Sequence, residues 1–583
     1  MIKEEIIELI KKAVGELGTE RIEVPVFMLE HPDIMSHGDY ATNVALVLSK
    51  QLKKAPVQIA KELVEILNKN KNEKIKKIEV ASPGFINFYL ADSYFAERIE
   101  EILKKKEKFG ENNILNGQRT IIDYTDPNPF KDFHIGHLMN NVIGESLCRL
   151  LEGNGAVIKR ANYQGDVGIH VAKTIWGVLK MLKDKSKTKK DFFGNLFGFE
   201  KNPKIWGQAY TLGATAFEAD EMAKKEITEL NKKIYDHSDK KVNKIYNIGR
   251  ETSLKEFEKI YKILGTKFDY YFFESEVGVL GKEIVIKGLE KGVFEKSDGA
   301  VIFRGEKYDT ALHTRVFINS QDLPTYEAKE LGLIVEKNKR FSFDKTISVT
   351  GNEINDYYQV MLKAMELTVP DLAKKVVHIG HGMLRLPTGK MSSRTGQVIT
   401  GEFLLSEIKK NILEKMKDRQ MSEKEKDQVA GIVSLGALKY SILKQEAGKD
   451  IIFDFDKSLS FEGDSGPYLQ YAGVRAKSIL DKAKKEGIKA EINFKNNLMI
   501  GELSKLLIRF PEVVERAGKE YAPHYLATYL TELASAFSSF YAQETIVDKN
   551  DVKSPYKVSL VEAFYTVMKN GLNLLGIKVP EQM

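Results

Sequence analysis

Cysteine is nearly missing from this sequence: Cys148 is the single thiol in 583 residues. That excludes a disulfide framework and any zinc site built from several thiolates, and it fits a reducing compartment. Cys148 falls inside an amphipathic segment, where a buried and inert thiol is the expected reading. Long apolar runs are missing too, since no stretch approaches the ~20 residues that cross a bilayer. The first residues, Met-Ile-Lys-Glu-Glu-Ile-Ile-Glu-Leu-Ile-Lys-Lys, mix both charge signs on a helical period and do not read as a leader. A cytoplasmic protein without a membrane partner is expected. A dominant charge is absent as well: Lys+Arg 89 against Asp+Glu 82 leaves +7. Such an excess permits a polyanionic partner without requiring one, and a normally solvated surface explains it equally well.

The chain is too long for one hydrophobic core, and its length predicts about three or four units. Residues 1 to about 110 read as α+β, with helices near 2–17, 40–53 and 56–69 and a strand at Ile78–Ala81. Two turns in this region, His37-Gly-Asp-Tyr-Ala-Thr-Asn43 and Ser82-Pro-Gly-Phe-Ile-Asn87, are ordinary loop chemistry on composition alone.

The chain is organised around Asp126-Pro-Asn-Pro-Phe-Lys-Asp-Phe-His134-Ile-Gly136-His137. The apolar run Thr120-Ile-Ile-Asp-Tyr precedes it, and Leu138, Val142, Ile143, Leu147, Leu150 and Leu151 follow at helical spacing. Strand, turn and helix are predicted in that order, with both imidazoles in the first turn of the helix. Unpaired N–H groups and the positive end of the helix dipole favour phosphate there. Gly136 removes a side chain, leaving room for a flat base or a ribose against the backbone.

A second strand at Ala156–Tyr163, closed by Gln164-Gly-Asp166-Val-Gly168, completes half of a doubly wound parallel sheet whose ligands lie beyond the strands' carboxyl ends. From about 183 to 290 a lysine run, Lys183 to Lys190, and long charged helices interrupt the alternation; a solvated face is the simpler reading of these charges than a nucleic-acid contact. Sheet character returns at Ala300–Arg304, Ile347–Thr350 and Val376–Ile379, with helices starting near Tyr326 and Asp356. Glycines bracket the following loop, Gly389-Lys390-Met391-Ser392-Ser393-Arg394-Thr-Gly396, as in a mobile lid. Helices then run to the end, near 405–417, 423–445, 466–485, 499–517, 521–542 and 557–575. His-Ile-Gly-His recurs at 378–381, but there it reads as a strand entering a loop, so chemistry is assigned to the first copy. Neither histidine pair has further ligands at metal spacing, and no metal held by protein ligands is expected.

His-Ile-Gly-His after the first strand and Lys390-Met391-Ser392-Ser393-Arg394 after the last resemble the two signatures of class I aminoacyl-tRNA synthetases. Within that class the chain resembles arginyl-tRNA synthetases along nearly its whole length. The turns at 37–43 and 82–87 are similar to that family's extra N-terminal domain. Pro127-Asn128, Lys131 and Asn162–Gly168 are similar to its catalytic core. Phe461–Tyr471, Ala522–Leu530 and Leu574–Met583 are similar to its anticodon-binding helices. The implied architecture is multidomain: an N-terminal α+β domain that binds the tRNA elbow (1–110), a Rossmann-like α/β catalytic domain with a parallel sheet (118–404, insertion about 183–290), and an all-α anticodon-binding bundle (405–583).

The resemblance implies ligation of L-arginine to tRNA(Arg) with ATP and Mg²⁺ by a chain that is a monomer by default, and activation is expected to depend on bound tRNA. His134, Gly136, His137, Lys131 and the loop residues Lys390 to Arg394 fall at ATP-binding and catalytic positions. Asp123, Asn128, Tyr326, Glu330 and Asp166 fall at arginine-binding positions, and Tyr468, Tyr471, Tyr541, Met583 and Asn87 at tRNA-binding ones. Carboxylates arranged as a fork suit a guanidinium and discriminate it from the ammonium of lysine. Three departures stand out: Ser393 replaces the signature lysine, Glu330 replaces an aspartate one turn after Tyr326, and Ile354 takes the place of a glutamine near the pocket. Among rivals, a cysteinyl enzyme would want a thiolate-bound zinc, and a glutamyl or glutaminyl enzyme would need cationic pocket walls. A tRNA-binding paralogue without catalysis is suggested by Ser393 and opposed by Lys131 and the intact His-Ile-Gly-His.

Overall fold

The computed structural model describes residues 2–17, 23–185, 198, 204–387, 400–492 and 500–583. They form two compact units, each assembled from separated parts of the chain. The first comprises Met1–Gly110, Ala472–Glu512 and Leu530–Asn570; the second comprises Glu111–Tyr471, Val513–Tyr529 and Gly571–Met583. Among the described residues no helix is long and apolar enough to cross a membrane.

In the first unit, strands β1 (Leu29–Glu30), β2 (Tyr40–Thr42), β3 (Ile75–Ala81) and β4 (Phe85–Leu90) form an antiparallel sheet in the order β1-β2-β4-β3. Helices Ile2–Gly15, Val44–Leu52 and Pro56–Asn70 bury Ile6, Ile10, Leu48, Ile59 and Leu63 in the same core as Ile86 and Phe88. Tyr40 to Thr42 are therefore strand, not the start of a helix: Tyr40 and Thr42 are buried on one side of β2, opposite Phe88 and Ile86, and the helix begins only at Val44. Asn87 pairs with Ala41 and Glu79 in mid-sheet and is 5% exposed. An ion pair and a hydrogen bond tie this sheet to the late helix Glu502–Lys519: Lys505 binds Asp39 at 2.9 Å, and Tyr40 hydrogen-bonds Glu512.

The second unit is built on a five-stranded sheet of β5 (Arg119–Asp123), β6 (Val157–Gln164), β7 (Tyr270–Phe273), β11 (Lys345–Gly351) and β12 (Val376–His381). Its order is β12-β11-β5-β6-β7, and every pairing is parallel. β5 reads as a near-continuous buried run because helices cover both faces of such a sheet. The crossover from β5 to β6 is the helix Ile135–Gly153, and that from β11 to β12 contains Asn355–Thr368. Strand order reverses between β5 and β11, the switch point where a crevice opens at the carboxyl edge.

Two sequence expectations change here. β7 lies inside the segment expected to be an insertion, yet it is the edge strand of the parallel sheet, paired to β6 from Ala161↔Tyr270 to Gln164↔Phe273. Its four residues are too short for their period to emerge from charged helical surroundings. Ala300–Arg304 (β9) belongs instead to a separate antiparallel sheet with β8 (Glu295–Ser297) and β10 (Thr314–Ile318). The described residues of the C-terminal region are mainly helical, with Gly401–Lys415, Glu423–Leu443, Gly466–Lys485, Glu502–Lys519, Pro523–Gln543 and Ser554–Leu574 as the long helices.

Candidate active site

Three residues between Asp123 and His134 have positive φ without being glycine: Thr125 (80°), Asp126 (45°) and Phe130 (69°). Strain of this kind persists only where surrounding contacts hold it. Here Asp126 Oδ1 accepts from the Tyr163 N–H at 2.7 Å, Thr125 Oγ1 accepts from Asn141 at 2.9 Å, and the Phe130 N–H donates to Ser253 at 3.0 Å.

The turn delivers His134 as the N-cap of Ile135–Gly153. His134 Nδ1 accepts from the Gly136 N–H at 3.1 Å, and His137 Nδ1 accepts from the His134 N–H at 3.2 Å, a reciprocal capping box. The rings stack with centroids 3.6 Å apart. With both Nδ1 atoms accepting, each neutral ring carries its proton on Nε2 and offers that N–H as a donor. Burial, with repulsion from Lys131, holds both imidazoles below their ordinary pKa; His137 is also lowered by His134. A Cβ on Gly136 would stand 3.0 Å from the His134 ring, so the glycine makes room for the capping imidazole itself.

Lys131 is half-buried, its ammonium 5.5 Å from the centre of the Tyr210 ring; burial and then Lys173 depress its pKa, while Glu274 opposes them. Lys390, Met391, Ser392, Ser393 and Arg394 lie outside the described residues. The chain after that loop returns directly to the histidine turn: Thr400 bridges His134, and the Gly401 N–H donates to Phe133 O at 2.8 Å.

Beside the histidines is a pocket crowded with ionisable groups. The parallel register sets Asp123, Ser348 and His378 side by side across β5, β11 and β12. Asp123, expected as one tine of a guanidinium fork, gives one oxygen to Lys337, and both partners are buried. Glu330, on the same helix as Lys337 (Tyr326–Arg340), is 5% exposed, and burial pushes its carboxyl up to about 8. Tyr326 stands at the mouth, its ring 5.4 Å from that of Tyr357 and 6.4 Å from that of Tyr163. A Cβ on Gly165 would lie 2.3 Å from Asn128 Oδ1 and 3.1 Å from Glu274 Oε1, so a bare backbone lets these two side chains converge.

Glu274 was not among the residues singled out from the sequence. It follows β7 directly at the carboxyl edge and pairs with buried Lys329 at 2.5 Å. Recognising Tyr270–Phe273 as a strand would have exposed it. Asp166, by contrast, has both oxygens engaged: by Tyr246 at 2.8 Å, Arg250 at 3.0 Å, and the Ser275 N–H and hydroxyl at 2.9 and 2.7 Å. Its geometry is that of a clamp in the pocket wall. Ile354 packs partly buried against the apolar core. His378 stacks on Tyr358 at 3.8 Å and bonds Thr350 at 2.7 Å; burial lowers its pKa to about 4.

The helix carrying the histidines is held from behind. Arg149 donates to Asn573 O at 3.1 Å and Oδ1 at 2.9 Å, and Ser146 to Leu574 O at 3.2 Å. Lys439 donates to Leu264 O and Gly576 O, and Gln470 to Lys578 O at 2.7 Å. Tyr468, Tyr471 and Met583 are half-buried in the second unit. In the first unit Tyr541 is 44% exposed, with the Arg475 guanidinium 5.1 Å above its ring.

A parallel sheet with a strand order reversing beside a His-Ile-Gly-His helix cap defines a class I aminoacyl-tRNA synthetase fold. Three family models agree: tRNA synthetases class I (R), catalytic domain, over residues 98–455; Arginyl tRNA synthetase N terminal domain over 4–90; and DALR anticodon binding domain over 469–583. The chain belongs to the arginyl-tRNA synthetase family. It is similar to the arginine–tRNA ligases of Borrelia hermsii (30% identical, 100% of this chain and 99% of the relative) and Halothermothrix orenii (31%, 100% and 99%). In fold it is similar to the Thermus thermophilus arginyl-tRNA synthetase, with a TM-score of 0.78 at 24% identity over the whole of both chains. The Plasmodium falciparum arginyl-tRNA synthetase gives 0.77 at 20% identity, covering 100% of this chain and 99% of that one.

Proposed function

We propose that this chain joins L-arginine to tRNA(Arg) in two steps at the carboxyl edge of its parallel sheet. An arginine carboxylate oxygen attacks the α-phosphorus of ATP, and the bond to the β-phosphate breaks, releasing pyrophosphate. A hydroxyl of the tRNA 3′-terminal ribose then attacks the arginyl carbonyl, and AMP departs. The nucleophiles belong to the substrates, so the protein's work is to position them and stabilise charge on phosphate oxygens.

His134 and His137 donate their Nε2–H groups to those oxygens, which the capping geometry supports because it fixes that tautomer. Lys131 and the loop from Lys390 to Arg394 balance the leaving pyrophosphate. Mg²⁺ accompanying ATP would offset charge on the leaving pyrophosphate. Glu330, Glu274, Asn128 and Tyr326 face the guanidinium, with Asp123 held ready by Lys337. Residues 1–110 serve the tRNA elbow and 405–583 the anticodon, through Tyr468, Tyr471, Tyr541 and Met583. The chain is taken as a monomer by default and works in the cytoplasm, a reducing compartment that its lone cysteine suits.

The observation that carries this reading is the concentration of buried carboxyls beside the histidine cap, a setting that selects a cation. Pyrophosphate exchange driven by arginine, run with and without tRNA, tests it. Exchange with arginine and with no other amino acid is expected, and stronger with tRNA present. A catalytically silent tRNA-binding protein would retain tRNA and show no exchange under either condition.

A further inference from the structure

Four carboxyls and two ammonium groups meet in the pocket. Asp123 is paired with Lys337, and Glu274 with Lys329. Among the described residues, no cation forms an ion pair with Glu330. Its charged neighbours from the surrounding elements are Lys337 on its own helix, Asp123 at the end of β5, Asp126 in the turn beyond, and Glu274 beside β7. Its remaining titratable neighbours are phenols: Tyr326 on the same helix, Tyr163 on β6, and Tyr357 and Tyr358 on Asn355–Thr368. One lysine, already shared with Asp123, cannot compensate a second buried carboxylate.

We propose that Glu330 is a protonated carboxylic acid in the empty pocket, and that arginine binding expels its proton to solvent as the guanidinium takes that proton's place. The O–H bond of Glu330 breaks, the carboxylate pairs with a guanidinium that keeps all its own protons, and one H⁺ leaves the protein. This rests on the pocket being the arginine site and adds the protonation state in which that site waits. A neutral carboxyl suits a buried position among phenols and like-charged carboxyls, whereas a carboxylate there without a cation of its own would be strongly disfavoured. The longer arm of glutamate, in place of the family's aspartate, carries the group into this crowded region. The direction of Glu330's own shift agrees: burial, with Asp123 and Glu274, raises it against the opposing pull of Lys337 and of the hydrogen bond from Tyr326. His378, the nearby imidazole that feels Asp123, is held to about 4 and stays neutral across the relevant window.

The test is calorimetric titration of the full-length protein with L-arginine at pH 7, repeated in phosphate and in Tris, whose different ionisation heats report protons exchanged. Close to one proton released per arginine is expected, falling toward zero well above pH 8. The dissociation constant should rise about tenfold per pH unit on acidification below that point. Glu330→Gln should bind arginine more weakly and release no proton. A second measurement needs no variant: with ¹³C-labelled glutamate, the infrared band of a protonated glutamate carboxyl should be present at pH 7 and vanish when arginine is added. Arginine binding without proton release, the same release from Glu330→Gln, or loss of an aspartate band in place of a glutamate one would overturn the proposal. Absence of arginine binding and of exchange even with MgATP and tRNA would instead sink the functional reading on which it stands.

Discussion

The ammonium of Lys439 donates to the carbonyl oxygen of Gly576 at 2.7 Å and, in the same buried position, to that of Leu264 at 2.8 Å. One side chain thus gathers the end of the helix Lys240–Leu264 and the terminal turn of the protein. Burial, then Arg149, lowers its pKa to about 8, so the contact is made by a cation held at a cost. Lys439→Met should leave two buried carbonyls without donors and destabilise the second unit by about 2–3 kcal/mol. The midpoint of urea unfolding, followed by intrinsic fluorescence, measures this; an unchanged midpoint would mean that the carbonyls find other donors.

Lys131 stands three residues before His134 and shares its field. Lys131→Ala should slow arginine-dependent pyrophosphate exchange about a hundredfold, equivalent to ~3 kcal/mol of lost charge stabilisation. Affinity for tRNA, measured by filter binding, should change by less than about threefold. Equal losses in both would move Lys131 from the phosphate site to the tRNA surface.

Glu330→Gln keeps the size of the side chain and removes the charge that arginine calls up. The KM for arginine should rise roughly tenfold or more, the usual loss for a hydrogen bond to a charged group, with the KM for ATP nearly constant. Steady-state exchange with each substrate varied in turn separates the two.

Lys337→Met strands Asp123 as a buried carboxylate and should cost about 3–5 kcal/mol. Replacing both partners, Asp123→Leu with Lys337→Met, should recover most of that stability while arginine activation stays impaired. Denaturation midpoints of these two variants, set against the native protein, decide between a pair that shapes the pocket and one that only fills it.

Acid should weaken the fold through its buried imidazoles. His170 is bonded to Gly165 O at 2.9 Å, and burial lowers its pKa from 6.5 to about 3. Between those values the unfolded chain binds a proton that the folded chain refuses, so stability is complete above 6.5 and falls as pH drops toward 3. The loss is about 1.4 kcal/mol per pH unit from this residue. Thermal unfolding at pH 7.5 and 5.5 should show a larger drop for the native protein than for His170→Gln.

The parts of this molecule that were legible in its sequence are those governed by local period. The helix opened by His134 could be read from Leu138, Val142, Leu147 and Leu151, and the six late helices fall within a few residues of their expected limits, because apolar spacing is written into consecutive residues. Tyr40 to Thr42 misled because their strand is three residues long and one of its two pairing partners lies more than forty residues away. The pocket shows the same limit more sharply. Asp123 and Lys337 are separated by 214 positions, and Glu274 and Lys329 by 55. No spacing rule forecasts which buried charge will find which, so the sequence suggested a fork that included Asp123 while the fold gives Asp123 an internal counter-ion and adds a second such pair at Glu274.

The first compact unit takes its N-terminal sheet from residues 1–110 and its supporting helices from 472–512 and 530–570. A ribosome therefore releases Asp39 and Tyr40 long before Lys505 and Glu512 exist. At ordinary synthesis speeds the 361 residues between the end of one segment and the start of the next represent about 20–70 s. Throughout that interval the newborn sheet waits with its docking side uncovered, and holding factors that shield nascent chains have their longest opportunity at the start of this polypeptide, not at its catalytic centre.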